Sequence, residues 1–147
     1  MIALSAYGLL LFSAFLSASL LPGSSEAVLI GLLASAKGSP VLLIAVASVG
    51  NTAGSVLNWA MGRFLERFKG RSWFPLKELS INRAQAWFAR FGVWSLLFAW
   101  VPVIGDPLTL VAGVLRVPLW RFLPLVTIGK VLRYTFIVVV WQWWETA

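Results

Sequence analysis

The sequence predicts an all-α integral membrane protein, with two re-entrant helical hairpins and two spanning helices in an inverted-topology repeat. Three observations lead there. The chain of 147 residues is 60% hydrophobic and only 12% charged, with mean hydropathy +0.88, and its apolar residues come in long blocks, as membrane proteins require. Two of the blocks are broken by helix-disfavouring residues followed by an acid: Pro22-Gly23-Ser24-Ser25-Glu26, and Pro102-Val103-Ile104-Gly105-Asp106-Pro107. The order of features in the first half recurs in the second.

The elements follow in chain order within one membrane domain, 1–147. Residues 2–21 form an apolar run of 20, about 30 Å as a helix. Its small residues Ser13 to Ala18 have the look of a cleavage site, but no charged segment precedes them and the apolar run continues beyond, so a hairpin arm is the better reading than a cleaved signal. Residues 27–36 reach only about 15 Å, half a bilayer. With the first run they make a re-entrant hairpin, 2–37. Ser24 or Ser25 is placed to cap the short helix, and Glu26 falls in its first turn near the positive end of the helix dipole. Residues 41–62 are a spanning helix. Gly50, Gly54, Asn58 and Gly62 recur at four-residue steps as a small-residue packing face, with Asn51 and Asn58 as interhelical donors or polar lining.

The segment 63–91 changes character. Arg63, Arg67, Lys69, Arg71, Lys77, Arg83 and Arg90 outweigh Glu66 and Glu78, with Trp73, Phe74, Trp87 and Phe88 interleaved. This reads as a loop and an amphipathic helix on the cytoplasmic bilayer surface, drawn to anionic headgroups. Residues 92–117 form the second hairpin, in which 108–115 is again half a span and Arg116-Val117-Pro118 ends it. Residues 119–141 are the second spanning helix, carrying Gly129, Lys130 and Arg133, with Trp141, Trp143 and Trp144 as an interface belt.

The net charge is +7. Because the basic residues cluster between apolar blocks, they indicate cytoplasmic loops and not nucleic-acid binding. The chain has no cysteine and no histidine. That excludes disulfides, thiol chemistry, the usual zinc sites and histidine-based triads. No metal or cofactor is expected, and an enzyme has only carboxylates to work with.

The repeats are 1–62 and 92–147. Glu26 to Gly50 spans 24 positions and Asp106 to Gly129 spans 23, which sets Asn51 opposite Lys130. Paired, broken hydrophobic segments are the pointer to a transporter with its site at the repeat interface. The basic segment places the end of the first span in the cytoplasm, so the two halves run antiparallel across the membrane. Glu26, Asp106, Lys130 and Arg133 are then ionisable groups within apolar sequence, with a formal sum of zero. Each is costly alone and functional by default. Two readings follow. In one, Glu26 and Asp106 are proton or substrate sites, with Lys130 and Arg133 as counter-ions or headgroup ligands. In the other, the four form an ion-pair network that only holds the fold.

At these residues the chain resembles the DedA (VTT-domain) superfamily, most closely its short YqaA-type branch. Phe88, Gly92, Pro102, Ala112-Gly113, Phe122 and Gly129 sit at the spacings of the superfamily pattern. Its two arginines are absent, with Ala99 and Gly105 in their places. Trp100–Asp106, Leu21–Glu26 and Gly129–Tyr134 are similar to the branch. The resemblance implies facing hairpins, a bacterial inner-membrane location, and proton-linked transport or flipping of lipids. Membrane lipids and protons are the implied partners. Two spans and two hairpins make a thin assembly, so a homodimer or larger oligomer is expected, with Gly50, Gly54 and Asn58 either at that contact or packing the hairpins. Cysteine-accessibility labelling should find residues 1 and 75 on opposite sides of the membrane, and labelling from one side would contradict the antiparallel arrangement.

Overall fold

The computed structural model describes residues 2–19, 24–64, 78–100 and 105–147. Pro22, Gly23, Pro102 and the stretch 65–77 of the basic segment lie outside the described residues. In chain order the elements are α1 (Ile2–Ser19), α2 (Ser24–Ala34), α3 (Pro40–Phe64), α4 (Glu78–Phe91), a 3-10 helix (Gly92–Trp100), α5 (Gly105–Val114) and α6 (Leu119–Thr146). Among the described residues there is no strand.

Two helices, α3 and α6, are long and apolar enough to cross a membrane, each with an 18-residue stretch of mean hydropathy 1.7. At 25 and 28 residues they measure roughly 38 and 42 Å, more than the ~30 Å hydrocarbon core. Both overrun the expected spans. Pro40 opens α3, where its missing N–H costs no helical bond. No breaker follows residue 141, and α6 runs on to Thr146.

The packing directions follow from the contacts. Asn51 Nδ2 donates to the Ala14 carbonyl at 3.1 Å, and Asn58 Nδ2 to that of Ala18 at 2.7 Å, so α1 runs parallel to α3. Then α2 folds back: the Ser39 N–H donates to the Tyr7 hydroxyl at 3.2 Å, which returns the hairpin to the level at which it began. Early α3 (Leu43, Ala47) shares a core with late α6 (Tyr134, Val138), while Trp59 near the end of α3 packs beside Phe122 at the start of α6. The two long helices are therefore antiparallel. Each end of this pair holds one apolar core. The first takes Leu10, Ala14, Leu29 and Leu32 from the α1–α2 hairpin. The second takes Leu96, Ala99, Leu108 and Val111 from the 3-10 helix and α5.

Glycines set the distance between helices. A Cβ at Gly50 or Gly54 would strike the carbonyl oxygens of Leu11 and Phe15 on α1. At Gly62 and Gly113 it would strike the backbones of α5 and α3. The small-residue face thus packs α1 and α5 onto α3 within one chain. The short helices close alike. Lys37 N–H donates to Leu32 O and Ala36 N–H to Leu33 O; Val117 N–H donates to Ala112 O and Arg116 N–H to Gly113 O. Both are Schellman closures, and both put a non-glycine residue at positive φ, Ala36 at 51° and Arg116 at 57°.

Three expected features differ in detail. Ser24 and Ser25 are the first two residues of α2 and not its cap. Gly105 and Pro107 are the first and third residues of α5 and not a break between elements. Gly105 lies against the Ala99 carbonyl, where a side chain has no room, and Pro107 occupies a first turn, where its lacking N–H is harmless. Residues 92–100, expected as the first arm of the second hairpin, are a 3-10 helix of nine residues, long for that form, which stretches them to about 18 Å.

The surface is inverted relative to a water-soluble protein. Leu4, Val41, Phe64, Trp94, Trp120 and Trp144 are exposed, while Ser25, Asn51, Ser55, Asn58, Thr109 and Lys130 are buried. Large apolar patches outside and polar groups inside suit a lipid environment. Replacing Gly54 with valine should lower stability to SDS unfolding by about 2 kcal/mol. Gly31→Ala, where nothing lies within 4 Å of the added methyl, should raise stability by up to about 1 kcal/mol. Equal effects of the two substitutions would contradict the close approach of α1 to α3.

Candidate functional site

Two adjacent residues of α2 meet two adjacent residues of α6. Glu26 stands in the first turn of α2. Arg133 stands midway along α6, on the inward stripe that also carries Phe122, Val126, Gly129, Lys130, Tyr134 and Val138. The Arg133 guanidinium is paired with the Glu26 carboxylate, and their side chains are 13% and 17% exposed. Each charge is largely withdrawn from its surroundings, so each is tolerable only because the other is present.

The hydroxyls beside the pair orient it. Ser25 Oγ donates to Glu26 Oε2 at 3.2 Å and lies 2.8 Å from the Tyr134 hydroxyl. A serine has one proton to give. With that proton on Glu26, Tyr134 must be the donor to Ser25. The carboxylate is thus held by Arg133 through one oxygen and by a Tyr134–Ser25 chain at the other. Ser25 and Tyr134 are wholly buried. Ser24 Oγ donates to the Ser13 carbonyl at 3.3 Å and ties the start of α2 to α1.

Of the four intramembrane ionisable groups expected from sequence, the structure brings Glu26 and Arg133 together. Lys130, one turn earlier on α6, is wholly enclosed. Asp106 is the second residue of α5, and for it only the backbone is described. Asn51 and Asn58 act as interhelical donors, and Asn58 does more: its Nδ2 also lies 3.3 Å from Thr109 Oγ1 on α5. One amide therefore touches the far end of α1 and the second hairpin at once. No group of three or more carboxylates, histidines or cysteines suited to a metal occurs among the described residues.

Sequence reasoning missed Tyr134 and the hydroxyl role of Ser25. The signal was present. A tyrosine four positions after Lys130 shares its helix face, and a tyrosine inside an apolar span needs a partner for its hydroxyl.

The family described as the VTT domain matches residues 21–142 of this chain. The chain is 38% identical over 139 residues to inner membrane protein YqaA of Escherichia coli, covering 90% of this chain and 92% of that protein. It is 35% identical over 129 residues to an uncharacterised protein of Haemophilus influenzae, covering 83% of this chain and 78% of the other. A 68-residue stretch is 34% identical to undecaprenyl phosphate transporter A of Staphylococcus aureus, covering 46% of this chain and 32% of that protein. No solved structure matches.

Removing one partner of the enclosed pair should cost more than removing both. Arg133→Gln should destabilise by about 3 kcal/mol, and Glu26→Gln/Arg133→Gln should recover most of that loss in SDS unfolding. Tyr134→Phe should cost about 1 kcal/mol. Additive losses in the cycle would contradict the pairing.

Proposed function

The chain belongs to the VTT-domain family of membrane proteins, and from that premise we propose that it is a small proton-coupled lipid transporter or flippase of the bacterial inner membrane. One observation carries the reading: a glutamate–arginine pair enclosed at the middle of a helix long enough to cross a bilayer. The partial likeness to a protein named for undecaprenyl phosphate transport supports a phosphate-bearing lipid as the substrate class.

The chemistry follows from the pair. A guanidinium binds a phosphate bidentately, as it does a carboxylate. A lipid phosphate arriving at Arg133 competes with Glu26. Once displaced, Glu26 is an uncompensated charge in a low-dielectric setting, and neutralisation by a proton is its cheapest state. Ser25 and Tyr134 keep the displaced carboxyl close by. When the phosphate leaves, Glu26 gives up the proton and pairs again. One anion and one proton thus move together, without net charge. Breaking the pair costs about 3–5 kcal/mol, which the substrate's own ionic bonds must match.

Asp106 opens α5 as Glu26 opens α2, 80 positions on, and Lys130 precedes Arg133 by one turn. In this reading Asp106 and Lys130 serve the second hairpin as Glu26 and Arg133 serve the first. The hairpins re-enter from opposite faces, the segment 63–91 is cytoplasmic, and the protein works as a homodimer or larger assembly. The competing reading is a non-transporting membrane protein whose ion pair only stabilises the fold; the closed Glu26–Arg133 contact favours it to that extent.

Leaflet exchange of fluorescent phosphatidylethanolamine and undecaprenyl phosphate in proteoliposomes, with and without a pH gradient, separates the two. A gradient should speed exchange about tenfold, equivalent to ~1.4 kcal/mol. Arg133→Gln should abolish exchange, and Glu26→Gln should leave exchange that ignores the gradient. Loss of stability in these variants with no lipid exchanged by the folded parent protein would favour the non-transporting reading.

A further inference from the structure

A second cluster of cations lies away from the Glu26–Arg133 pair, and nothing in the transport cycle uses it. Arg63 stands in the last turn of α3, Arg116 just beyond α5, and Arg121 in the first turn of α6. They come from three parts of the chain, and backbone contacts bring those parts together. Gly62 and Gly113 let α3 and α5 touch. The Trp59 indole N–H donates to the Val117 carbonyl at 2.8 Å, tying α3 to the loop before α6. The segments 55–64 and 107–122 hold these three arginines and no acid. All three are exposed.

Two of the guanidiniums are held against rings. The Arg63 guanidinium lies 5.4 Å from the centre of the Trp59 ring, and that of Arg121 lies 4.6 Å from the centre of Trp120. Such stacking leaves the N–H edges free and reduces the freedom lost when an anion binds. Arg116 is held differently. It occupies the left-handed position of a Schellman closure, with φ 57°, where glycine is the ordinary residue. That closure fixes the backbone from which its exposed side chain projects.

The depth of the cluster identifies the ligand. At roughly 38 Å, α3 outreaches the ~30 Å hydrocarbon core, so its last turn stands among headgroups. Trp120, 70% exposed, is the residue type favoured at that level. We propose that Arg63, Arg116 and Arg121 form a binding site for the phosphate of an anionic glycerophospholipid. The site is distinct from the Glu26–Arg133 pair: Arg121 and Arg133 are 12 positions apart on α6, about 18 Å along its axis.

The test is lipid retention by the full chain in native mass spectrometry, with phosphatidylglycerol against phosphatidylcholine as the probe lipids. The parent protein should retain phosphatidylglycerol preferentially. Arg63→Gln/Arg116→Gly/Arg121→Gln should lose that preference at least tenfold. Arg116→Gly alone should weaken it several-fold while raising Tm, because glycine relieves the backbone; loss of retention in a more stable protein cannot be attributed to misfolding. Arg83→Gln, which removes an exposed charge on α4, should leave the preference intact. Equal weakening by Arg83→Gln would show diffuse attraction to charge and overturn the site, as would full retention in the triple variant. Inorganic phosphate in excess should not displace the lipid; displacement by it would assign the cluster to a soluble anion and overturn the lipid assignment.

Discussion

An ion pair at the middle of a helix long enough to cross a membrane constrains everything around it. Glu26 and Arg133 are acceptable there only while they touch each other and face protein. Contact requires the first turn of α2 to lie at the mid-level of α6. That in turn requires α2 to be a short helix of 11 residues whose N-terminus begins at that level. The short length of α2, the tyrosine and serine beside the pair, and the close seating of α1 on α3 all serve this one placement.

The seating is a matter of backbone distance. Gly50 and Gly54 bring α1 against α3, and Gly62 and Gly113 bring α5 against it. The amides of Asn51 and Asn58 then reach carbonyl oxygens that larger neighbours would hold out of range. Apolar attraction between helices is weak in lipid, so van der Waals fit and such hydrogen bonds must do the holding. Each hairpin closes on itself with the same backbone pattern, 80 positions apart, and each has its own core. Both pairs of shorter helices lean on the same two long helices, with Asn58 touching α1 and α5. In the proposed cycle, that is the arrangement in which one hairpin shifts while the long helices stay.

Much of this was legible in the residues. Proline, glycine and an acid inside apolar sequence marked where the short helices α2 and α5 begin, because each is costly in an uninterrupted spanning helix. The four-residue step from Gly50 to Gly62 marked the packing face of α3. Which acid meets which base was not legible. Lys130 and Arg133 are one turn apart on the same stripe of α6, and only the level at which α2 begins selects Arg133 for Glu26. The 3-10 form of residues 92–100 was hidden for a similar reason: apolar composition records burial, and not the rise per residue. Ser25 looked like a cap because serine before an apolar run usually is one, yet its hydroxyl is taken by Tyr134, 109 residues away.

The central claim is that Glu26 exchanges a guanidinium for a proton each time a lipid phosphate visits Arg133. Counting protons against lipids tests it directly, with a pH dye inside proteoliposomes and a fluorescent undecaprenyl phosphate followed in the same sample. The account predicts about one proton carried per lipid, falling to none in Glu26→Gln while exchange continues. Lipid exchange by the parent protein with no accompanying proton would contradict it.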